Sequence, residues 1–431
     1  MLSILKTKSY QINQRIKLVV VSNCQFKTVQ LAINFASTAS SPQIVSERAL
    51  LSYVQAVSSS KYINQQAVAR QLISLSGSQY QTDVQLFGNQ HQVRFLLQCP
   101  NPQYINQNSD YLEANLAFMK SMIFEPLLDS VSSYNADVVS QERQSLLNEL
   151  VSLADDKVDF ALAQLRQLTI TVPALQSSAL GKVEEIQTVS SQQLYQSHQR
   201  MIHHDQVTIT VLGDVDADQL FKTFSQWPWG DVELATQTDH SPFMDLSQQE
   251  LFIKNESRPQ MEQAVLTKNY LLPINPSSDQ RFTAMVLNTM FGGAPISKLF
   301  MNIREKHSLC YSIVSRWQLD WRLLTVIVGL GADTVDQVSN MIELERQALA
   351  TGDFSDQLLA DVKEMLINDY LSQLDVPMSL LSMILRQEMT QLKITPQEWI
   401  AKIKAVQRDD IQSLAQQMRA IYQYNLLPEE L

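Results

Sequence analysis

Glycine is scarce in this chain, with 10 residues in 431. A phosphate-cradling loop needs several glycines close together so that backbone N–H groups can approach an anion, and there is little here to build one from. Cysteine is scarcer still. Cys24, Cys99 and Cys310 are odd in number and far apart, which excludes a disulfide framework and a C-x-x-C zinc knuckle and fits a reducing compartment. No apolar run approaches the roughly 18–20 residues that cross a bilayer. The opening residues, Met1-Leu-Ser-Ile-Leu-Lys-Thr-Lys8, lack the apolar centre of a secretory signal. The expectation is a cytoplasmic protein that neither enters a membrane nor leaves by the standard secretory route. Positive charge is in deficit, 33 Lys and Arg against 44 Asp and Glu, for a net charge of -11. A broad nucleic-acid surface is therefore not expected.

Apolar residues are plentiful at 45%, with 18% charged, the balance of a globular chain with large cores. At roughly 100–200 residues per domain, the length predicts two to four domains. The apolar run Ile16 to Val21 has strand length. Val29, Leu31, Ile33 and Phe35 alternate with polar residues, which predicts a half-buried strand. Helices are predicted over Ser46 to Ser58 and Gln65 to Leu75. Two strands follow, Tyr80 to Phe87 and His91 to Cys99, turning at Gly88-Asn89. Then come a helix from Asp110 to Phe124, one long helix from Asp137 to about Leu168, a helix from Ser190 to Met201 and a strand from Val207 to Leu212.

Pro, Ser and polar residues gather between Gln226 and Pro259, the best linker candidate. Beyond it the element order repeats: a strand at Ala264 to Leu271, helices at Asp279 to Phe291 and Pro295 to Lys306, strands at Leu309 to Arg316 and Leu323 to Leu330. Helices then run from Val335 to Ala420, ahead of a short apolar end, Ile421 to Leu427. Ile186, Val189, Leu194 and Met201 recur 217 positions later as Ile403, Val406, Ile411 and Met418. The chain thus reads as an internal duplication of the α+β class. Its first domain spans 1–225, its linker 226–259 and its second domain 260–431.

The segment Phe291-Gly-Gly-Ala-Pro-Ile-Ser-Lys-Leu-Phe-Met-Asn-Ile-Arg-Glu-Lys-His-Ser-Leu-Cys-Tyr311 resembles the second-domain signature of the M16 (pitrilysin-like, inverzincin) metallopeptidases. Val207 to Asp214 is similar to the strand-Gly-Asp element of the first M16 domain. Gln141-Glu-Arg-Gln-Ser-Leu-Leu-Asn-Glu149 is similar to the helix that carries the family's distal zinc glutamate. The resemblance implies two homologous domains, each a mainly antiparallel sheet packed with helices. It also implies a role for Arg304 and Tyr311. A guanidinium and a phenol where a helix passes into a strand can both donate to a peptide carbonyl, and the matching pair in M16 enzymes grips substrate and helps stabilise the oxyanion. The alternative for these two is an ion-paired surface arginine and a tyrosine packed on the sheet. Gly292-Gly293 reads as a helix-ending turn.

Active M16 members carry His-x-x-Glu-His, two imidazoles on one helix face for zinc and a glutamate as general base. Neither that motif nor its inverse occurs in this chain. In the best register, Ala49 and Tyr53 stand at the two histidines and Ser52 at the glutamate. Alanine cannot ligate, serine is not a competent base without activation, and a phenol with a pKa near 10 is a poor ligand. Glu142 and Glu149 lie seven apart on one helix face. The resemblance makes Glu149 a third ligand without companions; the plain alternative is two solvated or paired carboxylates. His203-His204-Asp205 reads as a solvated loop rather than a metal cluster, since adjacent histidines point about 100° apart, and His198 shares no clean face with them. Cys310 reads as a buried structural thiol.

The resemblance therefore implies a chain with no catalytic residue, no metal and no cofactor of its own. As in mitochondrial processing peptidase and several bacterial peptidase pairs, it would pair with a zinc-bearing M16 homologue and hold extended peptide. The first-domain layout is most similar to bacterial M16-like subunits associated with aminopentanol modification of elongation factor P. The alternatives are an active hydrolase with a relocated metal or nucleophile, and a homodimeric peptide-binding scaffold.

Overall fold

The computed structural model describes residues 6–105, 111–230, 250–259 and 261–429. The chain divides into two compact units, each drawn from three stretches of sequence: Met1–Val151, Pro173–Pro242 and Leu374–Lys393 in the first, and Ser152–Val172, Phe243–Gln373 and Ile394–Leu431 in the second. No helix among the described residues is long and apolar enough to cross a membrane.

The first unit begins with strands β1 (Lys6–Gln11), β2 (Ile16–Ser22) and β3 (Thr28–Thr38), followed by helices α1 (Pro42–Val57) and α2 (Gln65–Ser74). Strands β4 (Gln79–Phe87) and β5 (Gln90–Pro100) form a two-residue hairpin, and Gly88 takes a left-handed φ of 56° at the expected turn. Helix α3 (Tyr111–Phe124), the short pair β6 (Leu128–Ser130) and β7 (Ser133–Tyr134), and helix α4 (Ala136–Asp155) follow. Helix α5 (Lys157–Thr169) belongs to the second unit. Helices α6 (Val183–Thr188) and α7 (Ser191–His204), strand β8 (Gln206–Gly213) and helix α8 (Ala217–Ser225) complete this part. The sheet runs β1-β2-β8-β3-β5-β4, with β2 and β8 parallel and the other pairs antiparallel. Val29, Leu31, Ile33 and Phe35 pack into the main core with Leu50, Val54, Met119 and Leu194.

The second unit continues with β9 (Phe252–Arg258), β10 (Ala264–Leu271), α9 (Gln280–Asn288), β11 (Cys310–Gln318), β12 (Leu323–Leu330), α10 (Val335–Thr351) and α11 (Asp356–Leu374). Helix α12 (Pro377–Thr390) belongs to the first unit. Helices α13 (Pro396–Ala405) and α14 (Arg408–Gln417) and strand β13 (Arg419–Pro428) close the chain's described part. The sheet runs β11-β12-β10-β13-β9, with β13 and β9 parallel. Read from β9, this order is that of β2-β8-β3-β5-β4 in the first sheet, with the parallel pair in the same place. The 217-residue repeat is visible in detail. All eight apolar residues of the repeat are buried, and a capping box opens α7 at Ser190 and α14 at Gln407, again 217 apart.

Four expectations change. The single helix over 137–168 is two, because Asp156 caps a new start, its carboxylate accepting from Val158 and Asp159 N–H at 2.9 Å each. The break lets α5 set Ala161 and Leu165 against Val265, Tyr424 and Leu426. Strand β3 is buried on both faces rather than one. Its second face, with Ala32, meets Val21, Leu96 and Leu212 under Leu380 and Leu381 of α12. Part of the expected linker, residues 252–258, is strand β9, and the apolar end after 421 is its parallel partner β13; linker residues 231–249 lie outside the described residues. Gly292 and Gly293 end a wide turn after α9, but what Gly292 supplies is closeness: a Cβ there would meet Ser315 Oγ at 2.9 Å.

Candidate functional site

Helix α1 starts where Ser41 accepts from Ile44 N–H at 3.2 Å and Pro42 fills the first turn. It is buried nearly all round, so its polar residues need partners. Arg48 is held by three. Its Nη1 meets the Asp205 carboxylate at 2.7 Å, its Nη2 donates to the Phe35 carbonyl at 3.0 Å, and its Nε donates to His91 Nδ1 at 3.1 Å. His91 Nε2 donates in turn to the Ala179 carbonyl at 2.8 Å, which fixes a neutral tautomer. Burial, and then the Arg48 charge, push the imidazole pKa down to about 3. Arg15 closes the cluster by donating to the carbonyls of Asp205, Ile202 and Trp229 at 2.6, 3.1 and 3.0 Å.

This network corrects one expectation. Asp205 is a buried anion between two guanidiniums, not part of a solvated loop; burial raises its pKa and Arg48 and Arg15 pull against that rise. His198 is a core histidine. Its Nε2 donates to the Ile123 carbonyl at 2.8 Å, its Nδ1 accepts from the Tyr134 hydroxyl at 3.1 Å, and burial lowers its pKa to about 4. Among the described residues, no group of three or more His, Cys, Asp and Glu is placed to hold a metal ion.

Ala49 and Ser52 are buried on α1, and Tyr53 is half-buried one residue further on. The Tyr53 hydroxyl donates to the carboxylate of Glu149 on α4. Glu142, two turns earlier on α4, is buried, and burial raises its pKa. Burial first, then the hydrogen bond to Glu149 and the charges of Glu149 and Glu142, push the Tyr53 phenol well above its ordinary value. Tyr53 is therefore a neutral donor at physiological pH. Zinc does not fit this set. Ala49 offers no donor atom, the Tyr53 proton is committed to Glu149, and two carboxylates remain where a tetrahedral site needs three or four ligands.

The edge strand β4 runs beside these residues. Its Thr82 hydroxyl donates to the Ser52 carbonyl at 2.8 Å and its Tyr80 hydroxyl to the Gln55 carbonyl at 3.0 Å. Strand β4 pairs with β5 on one side and with no other strand among the described residues. An extended segment laid on that edge would pass α1 at Ser52.

Arg304 and Tyr311 lie in the second unit. Arg304 sits in a helical segment, Phe300–Lys306, with its guanidinium 4.6 Å from the Phe300 ring centre and 3.6 Å from the Glu305 carboxylate. Tyr311 is 60% exposed. Cys310 pairs with Leu330 and Ser312 with Gly329, so Tyr311 is the extra residue of a β-bulge. The bulge turns both Tyr311 and Ser312 to solvent on the edge strand β11, a device that re-aims side chains beside functional sites. Cys310 is buried, with its pKa pushed up to about 11 by burial. The bulge, the β4 edge and the Arg48 cluster were not read from the sequence. The only signal for the last was an arginine inside an apolar helix face.

Residues 188–366 match the family profile described as the peptidase M16 inactive domain. The Probable inactive metalloprotease YmfF of Bacillus subtilis (strain 168) is 28% identical over 393 residues, covering 91% of each chain. A conserved protein from Enterococcus faecalis V583, known as a crystal structure, superposes with a TM-score of 0.89 at 28% identity over 98% of this chain and 99% of that one. The peptidase M16 inactive domain from Pseudomonas fluorescens superposes with a TM-score of 0.81 at 13% identity over 99% of both, a likeness of fold. Residues 188–366 thus match an M16 inactive domain, and the chain is similar to M16 peptidase-like proteins along nearly its whole length while carrying no His-x-x-Glu-His.

Proposed function

We propose that this chain is a non-catalytic M16 subunit that holds extended peptide and works with a zinc-bearing M16 homologue. The observation that carries the reading is the Tyr53–Glu149 hydrogen bond: where an active member would place an imidazole and a carboxylate on one metal ion, this chain joins a neutral phenol to the carboxylate. The general base is gone as well, since a buried serine stands in the register position of the catalytic glutamate.

Peptide holding is supported by the β4 edge beside Ser52 and by two donors on the second unit, the exposed Tyr311 and the partly exposed Arg304. Main-chain pairing on a sheet edge supplies affinity with little dependence on sequence, and separate side-chain donors add orientation. A cytoplasmic location, as read from the sequence, belongs to the same proposal.

The test is binding of a fluorescent unstructured peptide to the purified chain, followed by turnover after adding an M16 chain with intact His-x-x-Glu-His. The reading expects binding without cleavage by this chain alone and higher kcat/KM for the mixture than for the zinc-bearing chain alone. Unchanged turnover in the mixture and no peptide binding would overturn it.

A further inference from the structure

Among the described residues the two sheets share one strand order, but the first has a strand more. There β2 is flanked by its parallel partner β8 on one side and by antiparallel β1 on the other. Its counterpart β9 has its parallel partner β13 on one side and, among the described residues, no strand on the other. Among the described residues, the backbone edge that β1 satisfies in one repeat is thus open in the other. Leu251, Phe252 and Ile253, at the start of that edge strand, are 42%, 51% and 49% exposed.

Edge strands are commonly blunted by charges of one sign, by proline or by a bulge. Strand β9 instead carries both signs in an order that complements itself when reversed. Lys254 and Glu256 flank Asn255, the central residue of Phe252–Arg258. An antiparallel copy centred on Asn255 opposes Lys254 to Glu256, Ile253 to Ser257 and Phe252 to Arg258. Facing residues in such a pair share a face of the sheet. The burial pattern agrees, with Lys254, Glu256 and Arg258 half-buried on one face and Ile253, Asn255 and Ser257 exposed on the other. Each attractive pair occurs twice across the two-fold axis.

We infer that a second copy of this chain pairs antiparallel with β9 about Asn255, joining two five-stranded sheets into one of ten strands. This self-association is separate from peptide holding and from pairing with a zinc-bearing homologue. An interface built on one strand is at the small end for a specific contact, so the dimer forms with rising concentration.

Sedimentation velocity of the full chain from about 1 to about 100 µM reads it directly. The inference expects a shift from the 49.0 kDa monomer to twice that mass. Glu256→Lys places lysine against lysine twice and should weaken association about tenfold or more. The swap Lys254→Glu with Glu256→Lys should restore it, with melting temperature as the control for folding. A cross-link tests the register without disturbing the charges. In a Cys24→Ser background, which removes the exposed native thiol, Asn255→Cys should give an oxidised dimer. A monomer throughout the range, or a dimer that neither responds to Glu256→Lys nor cross-links through Asn255→Cys, overturns the inference.

Discussion

Helix α12 reaches the first unit from far along the chain, and its anchorage can be broken at one residue. Leu381 is buried against Val21, Ala32, Leu96 and Leu212. Leu381→Ala removes buried methyl groups and leaves a cavity, a change that costs about 2–5 kcal/mol in close-packed cores. The first unit holds about 240 residues, a size at which 1 kcal/mol lowers Tm by about 2–4 °C. A loss of about 3 kcal/mol therefore lowers Tm by about 6–12 °C. The polar half of the contact adds a pH dependence. Glu388 is buried on α12, paired with Lys17 and, at 2.7 Å, with Lys393. Burial pushes its pKa up, but the hydrogen bonds and charges of the two lysines outweigh that and hold it below the ordinary value. A depressed carboxylate stabilises the fold above its unfolded pKa, near 4.3, and loses that contribution as pH falls through the folded value. Lys17→Met should flatten this acid limb. The assay is thermal and denaturant unfolding of wild type, Leu381→Ala and Lys17→Met between pH 3 and 7. A Leu381→Ala loss below about 1 kcal/mol, under the range for any well-packed leucine, would show that α12 does not seat as described.

Asp205→Ala should cost about 3–5 kcal/mol in denaturant unfolding, because it leaves Arg48 buried without its anion; Asp205→Leu with Arg48→Met should recover much of that loss. Arg304→Ala and Tyr311→Phe should weaken peptide binding several-fold to a hundredfold at unchanged Tm, about 0.5–1.5 kcal/mol for the phenol and up to about 3 for the guanidinium. Tyr53→Phe should lower stability by about 0.5–1.5 kcal/mol, through loss of the bond to Glu149 alone. The same variant should bind peptide as the wild type does, measured by anisotropy.

Much of the fold is legible in the sequence where the pattern is local. Strand β10 reads as Ala264 to Leu271 and is found there, because apolar residues at both ends, Ala264-Val-Leu and Tyr270-Leu271, mark a buried strand even though Thr267, Lys268 and Asn269 between them are polar. The 217-residue repeat is legible because helix packing fixes Ile186, Val189, Leu194 and Met201 as it fixes their counterparts. What failed depended on distant partners. The break at Asp156 hides in an unbroken helical periodicity, and only the separate destinations of α4 and α5 make it matter. The polar residues of β3 look solvent-facing until α12, more than 300 residues later, covers them. Strand β9 is short and charged and lies in a Pro- and Ser-rich stretch, so nothing local marks it. Of the site, the sequence showed the missing ligands but not that Tyr53 would close on Glu149, since that bond joins helices 96 residues apart. Asp205 looked solvated because its neighbours are histidines, while the residue that buries it, Arg48, lies on α1.

The proposed role stands on a phenol–carboxylate hydrogen bond, Tyr53 to Glu149, in place of a catalytic metal. Metal content of the purified full chain, measured by mass spectrometry after equilibration with zinc and desalting, and paired with a fluorogenic peptide assay with and without chelator, tests it most directly. No stoichiometric zinc and no turnover are expected. One zinc retained per chain, with peptide cleavage that the chelator abolishes, would contradict it.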